Sequence, residues 1–582
     1  MLKRTKGSRE EDAWLSDEQL AQCARADEAQ TYGSPIPTRI VSNGEYMPQP
    51  QSENQKRVES RIQELVNSAS QKLGLTRRQF LVSTGGLAAS FLAMNEVFGR
   101  FFNVQQAELT EPSVFAASGA PSNLFVFDDQ LHMVRHSRAH GGALRATAQG
   151  RTTPGFSSNP FNPEGLPDEL GEAWTPWNPA LIGLDFGPET FHLVQFIKDV
   201  YLDSQVTVGL LSNVTASQVT IEGEGRRPPK NLEESFSAEL LTAAQTMGVR
   251  DFVNQIAGST RLLAHGLLYT GIGNTDFVQY QIDEYKPDAW KGYTISFAAK
   301  VDQDPDSLMR QWRMDDERVA YPTYEIISKS QAKLRDTKPG IGNICIHKGL
   351  APNEEATPEI GHPSDIPKAA TDWPNLNFII YHSCIRPRFF YHETLQEIES
   401  GALRGGVPDI SWTTEFAQLV ADFPNVYGEI GTTWASTVIT FPTVAAHILG
   451  QLLKFLGEDR VVFGSDSVWY GSPQWQIEAL WRFEIPKEMQ KRYGYPELTE
   501  NAKRKILGLN SARLYQLSST RTVTAQGEYR PVPPDYASRI PDELKTLLEF
   551  PGFAADNLSK MKSEYLAKGA VPSNTRYGWI RT

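Results

Sequence analysis

From Leu124 onward the chain repeats one unit, a short β-branched or apolar run followed by a segment long enough for a helix. Eight such runs can be placed, at 124–132, 206–214, 261–268, 290–297, 341–347, 377–384, 425–431 and 460–466. This alternation specifies the α/β class, a parallel sheet covered by helices, and eight repeats close it into a (β/α)8 TIM barrel. The barrel is expected over 124–517. Long inserts at 133–195, 348–370 and 385–410 follow strands one, five and six, at the rim where barrel enzymes keep their active sites. Outside it, 1–75 is a charged extension with one amphipathic stretch near Val58 to Leu73. Residues 104–123 form a polar linker, and 518–582 a Pro-interrupted tail with two short helical stretches.

The composition, 40% hydrophobic and 22% charged, is that of a folded globular chain. Its net charge of −12 repels phosphate backbones, so no nucleic-acid partner is expected. Cys23, Cys345 and Cys384 are too few and too scattered for a disulfide framework or a CxxC zinc module. The one long uncharged run, Phe80 to Met94, has 15 residues against the roughly 17–25 that a spanning helix needs, which excludes a multispan membrane protein. Thr76-Arg77-Arg78-Gln79-Phe80-Leu81 precedes that run, and the segment 76–103 resembles a bacterial twin-arginine signal. The resemblance implies the twin-arginine export machinery as a partner and a periplasmic or envelope-associated location. Val114-Phe115-Ala116 is the only, distant, cleavage candidate, and an amphipathic surface helix is the alternative.

Polar residues interrupt the apolar runs at their C-terminal ends. In strand one Asp128, Gln130 and His132 share a parity and are expected to face inward, with Phe125, Phe127 and Leu131 facing the helices. His347 shares its side of strand five with Cys345, His382 follows Phe378-Ile379-Ile380, and Asp466 ends strand eight. Barrel closure would gather these residues at one rim. Two imidazoles, a carboxylate and an amide oxygen match the donor set of one divalent ion, Zn²⁺ first and Mn²⁺ second, with a position left for water. Such an ion acidifies water or polarises a carbonyl or carboxylate.

The motif Asp128-x-Gln130-x-His132 resembles the first-strand signature of the amidohydrolase superfamily. Ile346-His347-Lys348-Gly349, Tyr381-His382 and Phe463-Gly464-Ser465-Asp466 are similar to later motifs of its amidohydrolase-related (family 2) branch, and 505–515 resembles that branch's closing helix. The resemblance implies His132, His347 and Asp466 as metal ligands and His382 as the catalytic histidine. It implies an activity among metal-dependent hydrolases and non-oxidative decarboxylases of small compounds. Gln130 stands where the family usually has histidine, a weaker donor that ligates directly, through water or not at all.

Arg135 and His136, with Arg138 and His140, are candidates to hold a substrate carboxylate; Trp290, Trp434, Trp469 and Trp475 are candidates to line an apolar pocket or to pack the core. Lys291 reads as a bridging ligand of a two-metal site or as a solvated or salt-bridged lysine, and Glu429 as facing the barrel or the solvent. Three functions follow in order. The first is an exported metal-dependent hydrolase of a small ester, lactone or amide, with Asp466 taking the proton from water. The second is a decarboxylase on the same architecture. The third is a catalytically silent envelope scaffold.

Overall fold

The computed structural model describes residues 34–38, 52–121, 124–133, 193–215 and, with short gaps, 219–294, 311–350, 358–386 and 398–517, together with 562–563. All eight expected strands are present: β1 Phe127–Leu131, β2 Val208–Leu211, β3 Leu262–Leu267, β4 Ala289–Tyr293, β5 Asn343–His347, β6 Asn377–Tyr381, β7 Val426–Glu429 and β8 Val461–Val462. They pair in sequence order, and every ladder between neighbours is parallel. The ring closes between its last and first members. Asp129 N donates to Phe463 O at 2.9 Å, Asp466 N to Gln130 O at 3.0 Å, and Leu131 bridges Ser467 in parallel. The sheet is thus a (β/α)8 barrel.

Below the mouth the barrel is plugged by side chains. Phe125, Phe127, Val208, Leu210, Leu263, Cys345, Ile379 and Tyr381 fill it, and Tyr515 seals it by stacking on Phe127 with centroids 5.2 Å apart. This corrects the parity expected for strand one, in which Phe125 and Phe127 faced the helices and Asp128 faced inward. The ladder runs Asp128↔Gly209 and then Leu131↔Leu211, so β1 holds one more residue than β2 over that stretch. A bulge of this kind shifts the side-chain alternation. Phe125 and Phe127 point inward below it, and Gln130 and His132 reach the mouth above it. Leu131 packs outward, as expected.

The N-terminal helices belong to the same core. α1 (Glu53–Leu73) starts at a Ser52/Gln55 capping box and ends on Gly74 at φ 67°, and it buries Val58, Ile62, Leu65, Val66 and Ala69. α2 (Arg77–Leu81) begins on a second capping box, Thr76/Gln79. α3 (Thr84–Phe98) is apolar on nearly all sides and accordingly buried, from Leu87 to Met94, against α1 and the segment after it. No helix among the described residues is long and apolar enough to cross a membrane.

This module is tied to the barrel at α5 (Gln474–Arg482), the helix after β8. Arg482 is fully buried and forms ion pairs with Glu108 at 2.8 Å and Glu478 at 2.5 Å. It also donates to Asn103 O at 2.9 Å and lies 4.2 Å from the Phe115 ring centroid. Glu478 accepts Ala120 N at 3.0 Å, and Phe102 pairs with Phe483 through a backbone bridge and an edge contact at 5.5 Å.

Candidate active site

The mouth is built on strand ends whose next residues leave β geometry. His382, Ser383 and Cys384 follow β6 with φ of 62°, 47° and 58°, and Asp466 follows β8 at φ 57°. Side chains with a Cβ rarely adopt this left-handed region, and residues held there cluster at functional sites. The turn after β6 is stitched to β7 and α4 (Gly431–Thr437). Glu429 Oε2 accepts His382 N at 2.9 Å, Ser383 Oγ donates to Glu429 O at 2.8 Å, and Thr433 Oγ1 donates to His382 O at 2.7 Å.

Gln130, His132 and Asp466 meet in a triangle. Gln130 Nε2 donates to Asp466 Oδ1 at 2.8 Å and lies 3.3 Å from His132 Nε2; His132 Nε2 stands 3.0 Å from the same Oδ1. The other carboxylate oxygen accepts Thr432 Oγ1 at 2.6 Å, which also contacts Tyr470 OH at 2.9 Å. A hydrogen bond to the Ser212 backbone orients His132 from behind, and Trp469 lies beside it, with centroids 5.4 Å apart. His347 reaches the mouth beside His382, their rings edge to face at 4.7 Å, and stacks on Tyr293 at 4.6 Å. Its Nε2 faces the Leu350 carbonyl.

All four mouth imidazoles are buried, and burial holds each below the ordinary histidine range: His132 moderately, and His265, His347 and His382 strongly. The Lys291 ammonium pushes all four the same way. That lysine lies away from the surface. It is fully buried in the barrel, 3.5 Å from the Tyr381 ring centroid. Burial raises the carboxyls of Asp128 to about 7 and Asp129 to about 8, and it pushes Glu429 far above the usual carboxylate range despite the amides of His382 and Gly431.

His382 has a fixed tautomer. Its Nδ1 accepts Thr432 N at 3.1 Å, so the neutral ring carries its proton on Nε2, a buried atom with no partner among the described residues. It is an N–H donor held ready at the mouth.

Two donors, His132 Nε2 and Asp466 Oδ1, stand 3.0 Å apart, the spacing between neighbouring ligands when bonds are about 2.1 Å long. The nearest third group presents a nitrogen, Gln130 Nε2, which donates to Asp466 at 2.8 Å and would bind a cation only through its oxygen. The third corner is the Gln130 amide: among the described residues no three of His, Cys, Asp and Glu gather as a metal-holding group. His132 and Asp466 adjoin, whereas His347, the third expected ligand, stands with His382 and turns its Nε2 to the Leu350 carbonyl, so the three do not gather. Arg135, His136, Arg138 and His140 lie outside the described residues, whereas Trp290, Trp434 and Trp475 are core residues whose indole N–H groups bond backbone carbonyls. Sequence reasoning missed Thr432, Tyr470, Ser212 and His265; the run Gly431-Thr432-Thr433 directly after a β7 carboxylate was the available signal for the first.

A barrel with a histidine and carboxylate mouth is an enzyme-like scaffold. The family model described as Amidohydrolase matches residues 301–517, the stretch carrying His347, His382 and Asp466. Among solved structures, a TIM-barrel protein of Bordetella bronchiseptica is 14% identical over 67% of this chain and 98% of its own, with a TM-score of 0.35. A 5-carboxyvanillate decarboxylase of Novosphingobium aromaticivorans, complexed with manganese, is 11% identical over 69% and 98%, at 0.36. A dihydroxybenzoic acid decarboxylase of a Polaromonas species, also with manganese, is 12% identical over 69% and 99%, at 0.34. No curated protein matches the sequence.

Proposed function

We propose that this chain is a divalent-metal-dependent hydrolase of a small ester, lactone or amide. The observation that carries this reading is the fixed Nε2–H of His382, buried and neutral, on a ring that adjoins His347 and whose Nδ1 is held by the residue that bonds Asp466, Thr432. His132, Asp466 and Gln130 would hold the ion, which supplies acidified water when bound. Asp466, steadied by Thr432, accepts the proton that water gives up. His382 donates from Nε2 to the oxygen on which negative charge develops. Being neutral, it acts as a hydrogen-bond donor that keeps its proton. Burial of the whole constellation strengthens each of these interactions.

Decarboxylation of a small carboxylic acid is the second reading. Lys291, buried in the barrel against the Tyr381 ring, favours it, because a basic amine there can pair with an anionic substrate. Full-length protein supplied with Mn²⁺ or Zn²⁺ and assayed on ester, lactone and anilide panels should release acid. Release of CO₂ from aromatic acids instead would move the assignment to the decarboxylase. Absence of both, with no ion uptake, would favour the scaffold.

We also propose export through Arg77 and Arg78, which lie exposed at the start of α2. Cell fractionation of the wild type against a double lysine variant at these positions tests it; equal cytoplasmic retention of both would reject export.

A further inference from the structure

His265 is fully buried inside the barrel and takes no part in the hydrolytic steps. On β3 it shares a side with Leu263, one of the plug residues, so it stands one layer higher, between the plug and the mouth. Its ring centroid lies 6.2 Å from that of Tyr381. The ring of His382 lies 6.2 Å from the same centroid, and Lys291 Nζ 3.5 Å from it. Groups from β3, β4 and the end of β6 thus border one aromatic ring.

Ser212, the residue after β2, sets the tautomer of His265. Its hydroxyl stands 2.9 Å from His265 Nδ1, the one acceptor it reaches among the described residues. A hydroxyl that donates to Nδ1 leaves the proton of a neutral imidazole on Nε2. Burial keeps this ring neutral. His265 Nε2 is buried with no partner among the described residues, as is His382 Nε2. The two imidazoles are therefore built alike. Each is held at Nδ1 by a neighbouring donor, Ser212 Oγ or Thr432 N, and each keeps an N–H on its far edge. A histidine that serves only to pack a core pairs both ring nitrogens.

We propose that His265 is a substrate-binding residue whose Nε2–H bonds an acceptor oxygen of the small molecule that His382 also contacts. Two neutral N–H donors select a group with two acceptor oxygens, a carboxylate or an ester, over an ammonium, which has no lone pair to offer. This rests on the role given to His382 above and requires no metal ligand.

Titration calorimetry of the full chain with benzoate, in chelator and in Mn²⁺, tests it, with thermal melting as the check on folding. His265→Phe keeps a ring against Tyr381 but loses both nitrogens, and it should weaken benzoate binding by about 3–10-fold. His265→Gln restores an N–H near the ε position and should recover affinity to within about twofold of the wild type. Ser212→Ala keeps the backbone group that orients His132 and removes only the hydroxyl, and it should weaken binding by about 3-fold. In NMR spectra of protein with isotope-labelled histidines, the His265 proton should sit on Nε2 and its resonance should move when benzoate is added. Wild-type affinity in a folded His265→Phe overturns the proposal, and so does a loss there that His265→Gln fails to recover, which would assign His265 to packing. A proton found on Nδ1, a wild type that binds no benzoate, or one that binds benzylamine equally well overturns it too. If His265→Phe does not fold, Ser212→Ala and the labelled wild type decide, an unmoved Nε2–H resonance being the overturning result. Benzoate binding that depends on His265 in a protein that turns over no ester, lactone or amide keeps this contact and removes the hydrolase reading; turnover with wild-type benzoate affinity in His265→Phe does the reverse.

Discussion

Two buried polar clusters in this molecule are equally shielded from water and are built in opposite ways. Around Arg482, every named contact pairs a charge with its complement: Glu108 and Glu478 as counter-ions, Asn103 O as an acceptor and the Phe115 ring against the guanidinium plane. At the barrel mouth, His382 Nε2 and Gln130 Oε1 have no partner among the described residues, and Glu429 is burdened with a carboxylate that burial disfavours. The first cluster joins two parts of a chain. The second keeps bonding capacity in reserve, which is how a protein stores readiness for a ligand it does not itself supply.

The comparison predicts which kind of damage each cluster shows. The largest effect belongs at the mouth: Asp466→Asn should lower turnover by about 10³-fold or more and release the ion, while melting in chelator stays near the wild type. Unchanged turnover would mean that the open cluster is merely unsatisfied structure. Next comes Arg482→Met, which leaves Glu108 and Glu478 buried without their partner and should cost about 3–5 kcal/mol in denaturant unfolding with no specific loss of ion affinity. A loss under 1 kcal/mol would deny the clamp its role. His382→Ala should cut kcat by about 10²–10³-fold and retain the ion. Parallel loss of ion would move this residue into the ligand set.

The smallest effect sharpens the contrast from a third site. His447, bonded to Tyr495 OH at 3.0 Å, is lowered to about 4 from 6.5 by burial. The unfolded chain therefore binds a proton below pH 6.5 that the folded chain refuses. The group costs nothing above that pH, and roughly 2–3 kcal/mol accrues as pH falls from 6.5 toward 4. His447→Gln should flatten part of the acid limb of a stability profile measured by urea titration at each pH; an unchanged limb would place the acid sensitivity elsewhere.

The barrel was legible because each strand is a short apolar run bounded by helix-length sequence, and a buried parallel sheet needs little else. The ligand candidates were legible because they break those runs at one end. The orientation of β1 was not. Its single extra residue leaves no trace in the period-2 pattern of Phe125 to His132, so Phe127 was read as facing helices when it stacks on Tyr515. The burial of Lys291 was not legible because the ring that shelters it, Tyr381, lies two strands away. Glu429 and Gly431 acquire meaning only when Gln130, some 300 positions earlier, is brought against them.

The clamp on Arg482 also sets a timetable. Ala120 N and Glu478 Oε2 are 358 positions apart, so a nascent chain that has already formed α3 waits for nearly all of the barrel before its docking partner leaves the ribosome. At about 5–20 residues per second that delay is roughly 20–70 s. Throughout it the N-terminal helices have only their packing on one another, and the contacts of Arg482 with Glu108, Asn103 and Phe115 form once α5 arrives.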